Sequence, residues 1–361
     1  MSGSFFTTLL QFIIAFSLLA IIHELGHYFM AKAGKIEVEE FGLGFPPRAV
    51  KLFHIKETLF SLNWIPFGAF VRPKGENDPE VPGGLAAANP WKRLGMLLGG
   101  PFANITFGIL IFALVFSLIG APDTSRVQIM EIVSGSPAEQ SGLLTGDTIL
   151  SVAGVPIKSM AQVSDNIRLY LGKQVKVVIL RDGKEASIIV MPREKPPEGQ
   201  GPLGVIMGNP VMKPSFFEAI PLAANTAFEQ ARQLFTLPLK LIQGQVSSDQ
   251  ARLVSPKGLF DIYSQVRTQQ SSAETSTPGL AVMNILWFFG IISVALGLTN
   301  LLPIPALDGG RIIFIIPELM LRKRVPAKYE NAVHMIGFTF LLALMAFLFL
   351  QDFINPVVLP K

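Results

Sequence analysis

Four stretches of this chain carry no charged side chain over lengths suited to crossing a bilayer: Phe5–Ile22, Leu94–Ala121, Thr275–Leu307 and Asn331–Gln351. About 20 apolar residues span the hydrocarbon core as a helix, and a spanning segment must pair its backbone polar groups internally. Of the 361 residues, 50% are hydrophobic and 16% are charged, against about a quarter charged in soluble domains. The expected class is a polytopic α-helical membrane protein with four transmembrane helices. The first run has no Lys or Arg before it and continues directly into a polar motif, so it reads as a retained span.

That motif is His23-Glu24-Leu25-Gly26-His27. On a helix, residues four apart share a face, so both imidazoles can ligate one zinc ion while Glu24 lies beside it as a proton acceptor for water. Ionisable residues at membrane depth mark function by default. There is no cysteine, which excludes a thiolate site and leaves only nitrogen and oxygen ligands. The third uncharged run closes at Asn300-Leu301-Leu302-Pro303-Ile304-Pro305-Ala306-Leu307-Asp308-Gly309-Gly310, where prolines and glycines break a helix just as a carboxylate appears. Asp308 is the natural third zinc ligand; alone, it would read as the cap of a helix starting near Gly310. His54 and His334 read as bystanders. Asn104, in the second run, fits a packing role across helices better than a role in the site.

Between the spans the patterning changes. Residues 36–74 form a Gly/Pro-rich loop in which Thr58–Phe70 has strand character and Phe41–Pro47 reads as a turn, so a membrane-associated β-hairpin is expected. Its edge offers backbone pairing to an extended peptide; an inert surface hairpin fits the composition equally. Residues 122–194 show short β-like runs around Gly135-Ser136-Pro137-Ala138-Glu139-Gln140-Ser141-Gly142, a capped short helix, with a further helix at 159–170. This stretch resembles a PDZ domain of the bacterial protease type, which implies peptide capture or a steric lid. Residues 195–278 comprise a Pro/Gly linker to about 214, an amphipathic helix over 215–243 suited to a membrane surface, and a polar stretch broken at Ser255–Gly258 with a flexible loop over 269–277. Residues 279–361 return to the membrane.

With four spans the first and third loops share a side, and they carry the basic clusters, including Arg322, Lys323, Arg324 and Lys328. The positive-inside rule places them in the cytoplasm and the PDZ-like stretch outside it. A net charge of +4, with positive and negative residues interspersed, gives no nucleic-acid surface.

His23-Glu24-x-x-His27, Asn300-x-x-Pro303-x-x-x-Leu307-Asp308-Gly309 and a PDZ-like stretch between spans two and three together resemble the site-2 proteases, most closely the regulator-of-sigma-E type. The resemblance covers almost the whole chain. It implies an intramembrane zinc metalloprotease of the bacterial cytoplasmic membrane, with its active site towards the cytoplasm, zinc ligands His23, His27 and Asp308, and catalytic base Glu24. It also implies Asn300 near the site, and single-span membrane-tethered substrates, such as anti-sigma factors already trimmed by another protease, or signal-peptide remnants. Asn300 is the candidate for contact with the substrate backbone, and a structural role before the helix break fits it equally. Some members carry two PDZ domains, whereas one is recognisable here. Two rivals remain at this point. A membrane adaptor with a structural metal would need a fourth protein ligand, and only three are convincing. A metal transporter would show inverted repeats, which four unlike spans do not.

Overall fold

The computed structural model describes residues 2–76, 78–245, 252–272 and 278–358. The chain divides into two compact units, residues 1–115 with 216–361, and residues 116–215.

The first unit opens with α1 (Ser2–Ala33), an antiparallel pair β1 (Val38–Ile55) and β2 (Thr58–Pro73), and α2 (Pro90–Ile119). The Phe41–Pro47 stretch read as a turn is strand. Gly42 approaches the Phe70 ring so closely that a β-carbon would overlap it, and Gly44, at φ +77°, sits within the strand against the Ile65 carbonyl. The glycines admit a strongly bent ladder rather than ending it. As a result Glu40, Phe41, Gly42 and Leu43 have partners on both sides, Arg72 to Ala69 on one and Leu59 to Leu62 on the other. Within this curl Glu40 is buried, accepting from Arg48 Nε (2.7 Å) and Nη2 (2.5 Å) and from Ser61 Oγ (2.7 Å). Phe45, Val50, Leu52, Phe53, Leu62, Trp64 and Ile65 remain exposed on the same hairpin.

The second unit contains β3 (Ala121–Pro122), β4 (Val127–Ile132), α3 (Pro137–Gln140), β5 (Thr148–Val152), β6 (Val155–Pro156), α4 (Met160–Arg168), β7 (Val175–Arg181), β8 (Lys184–Val190), β9 (Val205–Gly208) and β10 (Val211–Met212). The main sheet runs β8-β7-β5-β4-β9, with β6 on β5. Alternate residues Val127, Ile129, Val177 and Ile179 bury one face with Val163 and Ile167 of α4. Ser136 caps α3, its Oγ accepting from the Glu139 N–H at 3.3 Å, while Glu139 Oε2 accepts from the Gly135 N–H just before the cap at 2.6 Å. The stretch read as a linker contributes two strands: β9 pairs with β4, and β10 pairs with β3. Four-residue and two-residue strands flanked by Pro and Gly leave too little periodicity to see.

The chain then returns to the first unit through α5 (Phe216–Ile242), α6 (Pro256–Ser272), α7 (Pro278–Asn300), α8 (Asp308–Leu321) and α9 (Ala327–Ile354). Ser255-Pro256 starts α6 instead of breaking a polar stretch: Ser255 Oγ accepts from the Lys257 N–H at 3.2 Å, and Pro256 takes the first helical position. Tyr263 is buried with Phe12, Leu19, Phe289 and Ile292, tying α6 to α1 and α7. Of the loop expected over 269–277, residues 269–272 close α6 and the remainder lies outside the described residues. Among the described residues four helices are long and apolar enough to cross a membrane: Phe5–Ala33, Pro90–Ile119, Val282–Asn300 and Ala327–Ile354. Small residues set their spacing. A β-carbon on Gly26 of α1 would overlap the Gly99 carbonyl of α2, and one on Gly297 of α7 would press on the Pro101 carbonyl. α2 is thereby packed between α1 and α7.

Candidate active site

The site forms where α1 meets the break between α7 and α8. His23, Glu24 and His27 project from α1, and Asp308 is the first residue of α8. α7 stops at Asn300, and the chain folds back so tightly that a β-carbon on Gly309 would overlap the Leu301 and Leu302 carbonyls, and one on Gly310 the Ile304 carbonyl. Two glycines after the aspartate are therefore a steric requirement. Ala306 takes φ +76°, and its N–H donates to His334 Nδ1 of α9 at 3.0 Å. His334, read as a bystander, braces the segment that delivers Asp308.

His23 Nε2 lies 3.1 Å from Asp308 Oδ2 and 3.1 Å from His27 Nε2, and His27 Nε2 lies 3.4 Å from Asp308 Oδ2. His27 Nδ1–H donates to the Met96 carbonyl at 2.7 Å, which leaves the Nε2 lone pair pointing at the other two groups. Lone pairs converging at these distances need a cation between them. With metal–ligand bonds of about 2.0–2.1 Å, the edges of a zinc tetrahedron measure about 3.3 Å, so this donor set fits zinc. It is the single such cluster among the described residues.

Glu24 lies beside this cluster, its Oε2 accepting from the Val71 N–H of β2 at 3.0 Å. All five residues singled out from the sequence, His23, Glu24, His27, Asn300 and Asp308, line one cavity of about 280 Å³. Asn300 spends Nδ2 on the Leu296 carbonyl of its own helix at 2.9 Å. His54 is exposed on β1 and does not line the cavity.

Four features escape the sequence. The Met96 carbonyl is backbone and leaves no residue-type signal. Gly100 lies flat against both imidazoles, where a β-carbon would overlap them. Arg311 pairs with Glu76, and both line the same cavity. Asn104, expected to serve packing, places Nδ2 3.2 Å from His23 Nδ1.

The family model for peptidase family M50 matches residues 11–344. The chain belongs to peptidase family M50. A Clostridium perfringens protein named as a zinc metalloprotease is 31% identical to this M50 protease over 96% of its chain and 98% of the relative. The regulator of sigma-W protease RasP of Bacillus subtilis is 26% identical over 94% and 97%, and the metalloprotease MmpA of Caulobacter vibrioides is 26% identical over 95% and 94%. Among solved structures, the PDZ domain of an SdrC-like protein of Listeria monocytogenes is similar, at 23% identity and a TM-score of 0.21, over 23% of this chain and 87% of that one. This M50 protease is an integral membrane zinc metalloendopeptidase of regulated intramembrane proteolysis.

Proposed function

We propose that His23, His27 and Asp308 hold the zinc, that Glu24 is the catalytic base, and that the bond cut lies within the transmembrane segment of a single-span, membrane-tethered regulatory protein. The observation that carries this reading is the convergence of His23 Nε2, His27 Nε2 and Asp308 Oδ2 within 3.1–3.4 Å, with Glu24 in the same cavity. Zinc bound there supplies Lewis acidity towards water and towards the scissile carbonyl. Glu24 takes the proton from water and returns it to the leaving amine, a role for which its place one residue after the first ligand suits it. The Nδ1 bond to Met96 fixes the His27 ring so that Nε2 stays a lone-pair donor. Asp308 gains from the N-terminus of α8, where negative charge is favoured.

A substrate helix must unwind before its carbonyl is reachable. β2 supports that step, because the Val71 N–H already reaches Glu24, so a strand laid along residues 69–73 would pass the base. The exposed apolar face of the hairpin supports its association with the membrane. Asn300 lines the cavity with its amide oxygen side available to a substrate N–H. The basic first and third loops favour a bacterial cytoplasmic membrane with the active site towards the cytoplasm and the PDZ-like unit outside. That unit, residues 116–215, then captures or screens substrates trimmed by an earlier protease. Since RasP is named for sigma-W regulation, the substrate class we assign is the tethered regulator of a sigma factor.

The test is cleavage of a tagged single-span substrate by purified protein in detergent. Glu24→Gln should lower kcat by at least about 100-fold with zinc retained, and chelation should abolish cleavage until zinc is restored. Full activity of that variant would overturn the assignment of the base.

A further inference from the structure

On α2, Met96, Gly100 and Asn104 are spaced four apart and share one face. That face is the floor of the metal site. The Met96 carbonyl accepts from His27 Nδ1–H, Gly100 admits both rings, and Asn104 meets His23 Nδ1. Asn104 is fully buried, and its own carbonyl accepts from Ser293 Oγ of α7 at 2.8 Å, so its position is fixed by both neighbouring helices.

The chemistry at His23 decides which end of the amide serves. His23 Nε2 faces Asp308 and His27 Nε2 at 3.1 Å each. Were the amide NH₂ to donate to Nδ1, the ring proton would sit on Nε2 and block ligation. With the NH₂ against Nδ1, the amide oxygen is also left buried without a partner. Turning the amide by half a turn keeps its shape and sets the oxygen on Nδ1–H.

We propose that Asn104 is a positioning residue for proteolysis: its amide oxygen accepts from His23 Nδ1–H and holds the Nε2 lone pair of His23 on the metal. This rests on the assignment of His23, His27 and Asp308 as zinc ligands. Both histidines then have their outer nitrogens held by α2, one by backbone and one by side chain. A ligand histidine with such a partner gains orientation and basicity, and losing it weakens metal binding.

The experiment uses the full chain in detergent and measures zinc affinity by competition with graded chelators, together with the visible absorption of the cobalt-loaded protein. Asn104→Leu, similar in size but without an acceptor, should bind zinc about 10–100-fold more weakly, while Asn104→Asp, which keeps the acceptor, should stay within about threefold. Unchanged affinity in Asn104→Leu beside complete loss in His23→Ala would overturn the role of Asn104 and leave the ligand assignment standing. Full zinc binding by His23→Ala would remove the ligand assignment itself, and the inference with it. If Asn104→Asp binds as weakly as Asn104→Leu, the acceptor role is wrong. Should Asn104→Leu fail to fold, Asn104→Asp decides alone, since a loss beyond about tenfold sinks the proposal.

Discussion

Glu40 and Asp308 are both carboxylates set into the same helical and hairpin unit, and their surroundings differ in kind. Glu40 is met by two guanidinium groups and a hydroxyl, with Arg48 and Ser61 within 2.7 Å and Arg72 at 3.2 Å. Each neighbour is a donor, so the cluster is complete. Asp308 is met instead by two imidazole nitrogens, at 3.1 and 3.4 Å, whose rings have their outer nitrogens engaged by α2. Donors and acceptors do not balance there without a cation. A saturated cluster fixes a fold, whereas an unsaturated one that opens onto a cavity is chemistry waiting for its metal and substrate.

The contrast breaks most visibly at Gly100. Gly100→Ala should raise the helix propensity of α2 by about 1 kcal/mol, so the fold is not weakened by that route. Its β-carbon, however, must displace both imidazoles. Misplacement of catalytic groups by about 1 Å costs on the order of 100-fold in rate, and that is the fall in kcat/KM expected here. Wild-type turnover in the variant would show that the rings do not need the α2 surface.

This result would also separate what the residue order reveals from what it hides. His23, Glu24 and His27 are legible because one helical turn carries them all, and Asp308 because a helix break beside a carboxylate is rare in an uncharged run. Asn104 and Gly100 are not, because their contacts depend on the register of α2 against α1, which is set by the close approach of Gly26 and Gly99. The glycines and prolines of Phe41–Pro47 suggest a turn, yet a curled ladder uses the same residues to bend. In α6 the polar composition hides Leu259, Phe260 and Tyr263, whose burial becomes visible only with α1 and α7 in place.

Asp352 offers a second carboxylate met only by donors with which to sharpen the comparison. It is fully buried at the end of α9, accepting from Ser255 N–H at 2.8 Å, Ser255 Oγ at 2.6 Å and Arg252 Nη2 at 2.6 Å. Removing one partner of a buried charge pair costs about 3–5 kcal/mol. Asp352→Ala should therefore lower thermal stability in detergent by several degrees while kcat of the surviving folded fraction stays at the wild-type value. A selective loss of kcat with unchanged stability would place Asp352 in the catalytic machinery, against the donors that surround it.

The smallest effect belongs to Glu40. Hydrogen bonding from Arg48 holds its carboxyl below the ordinary glutamate value of 4.5, with Ser61 and Arg72 adding to the same direction against the opposing effect of burial. A carboxyl depressed in the folded state binds protons less readily there than in the unfolded chain. Its contribution to stability is therefore complete above pH 4.5 and is lost as pH falls through the lower folded value. Glu40→Gln keeps the shape but weakens the charge-assisted bonds, costing about 1–3 kcal/mol at neutral pH. Unfolding midpoints measured in detergent between neutrality and pH 3 should converge for the two proteins as the solution is acidified. Parallel curves would mean that the arginines bind Glu40 no better folded than unfolded. The cluster would then be a consequence of the hairpin's curl and not one of its causes.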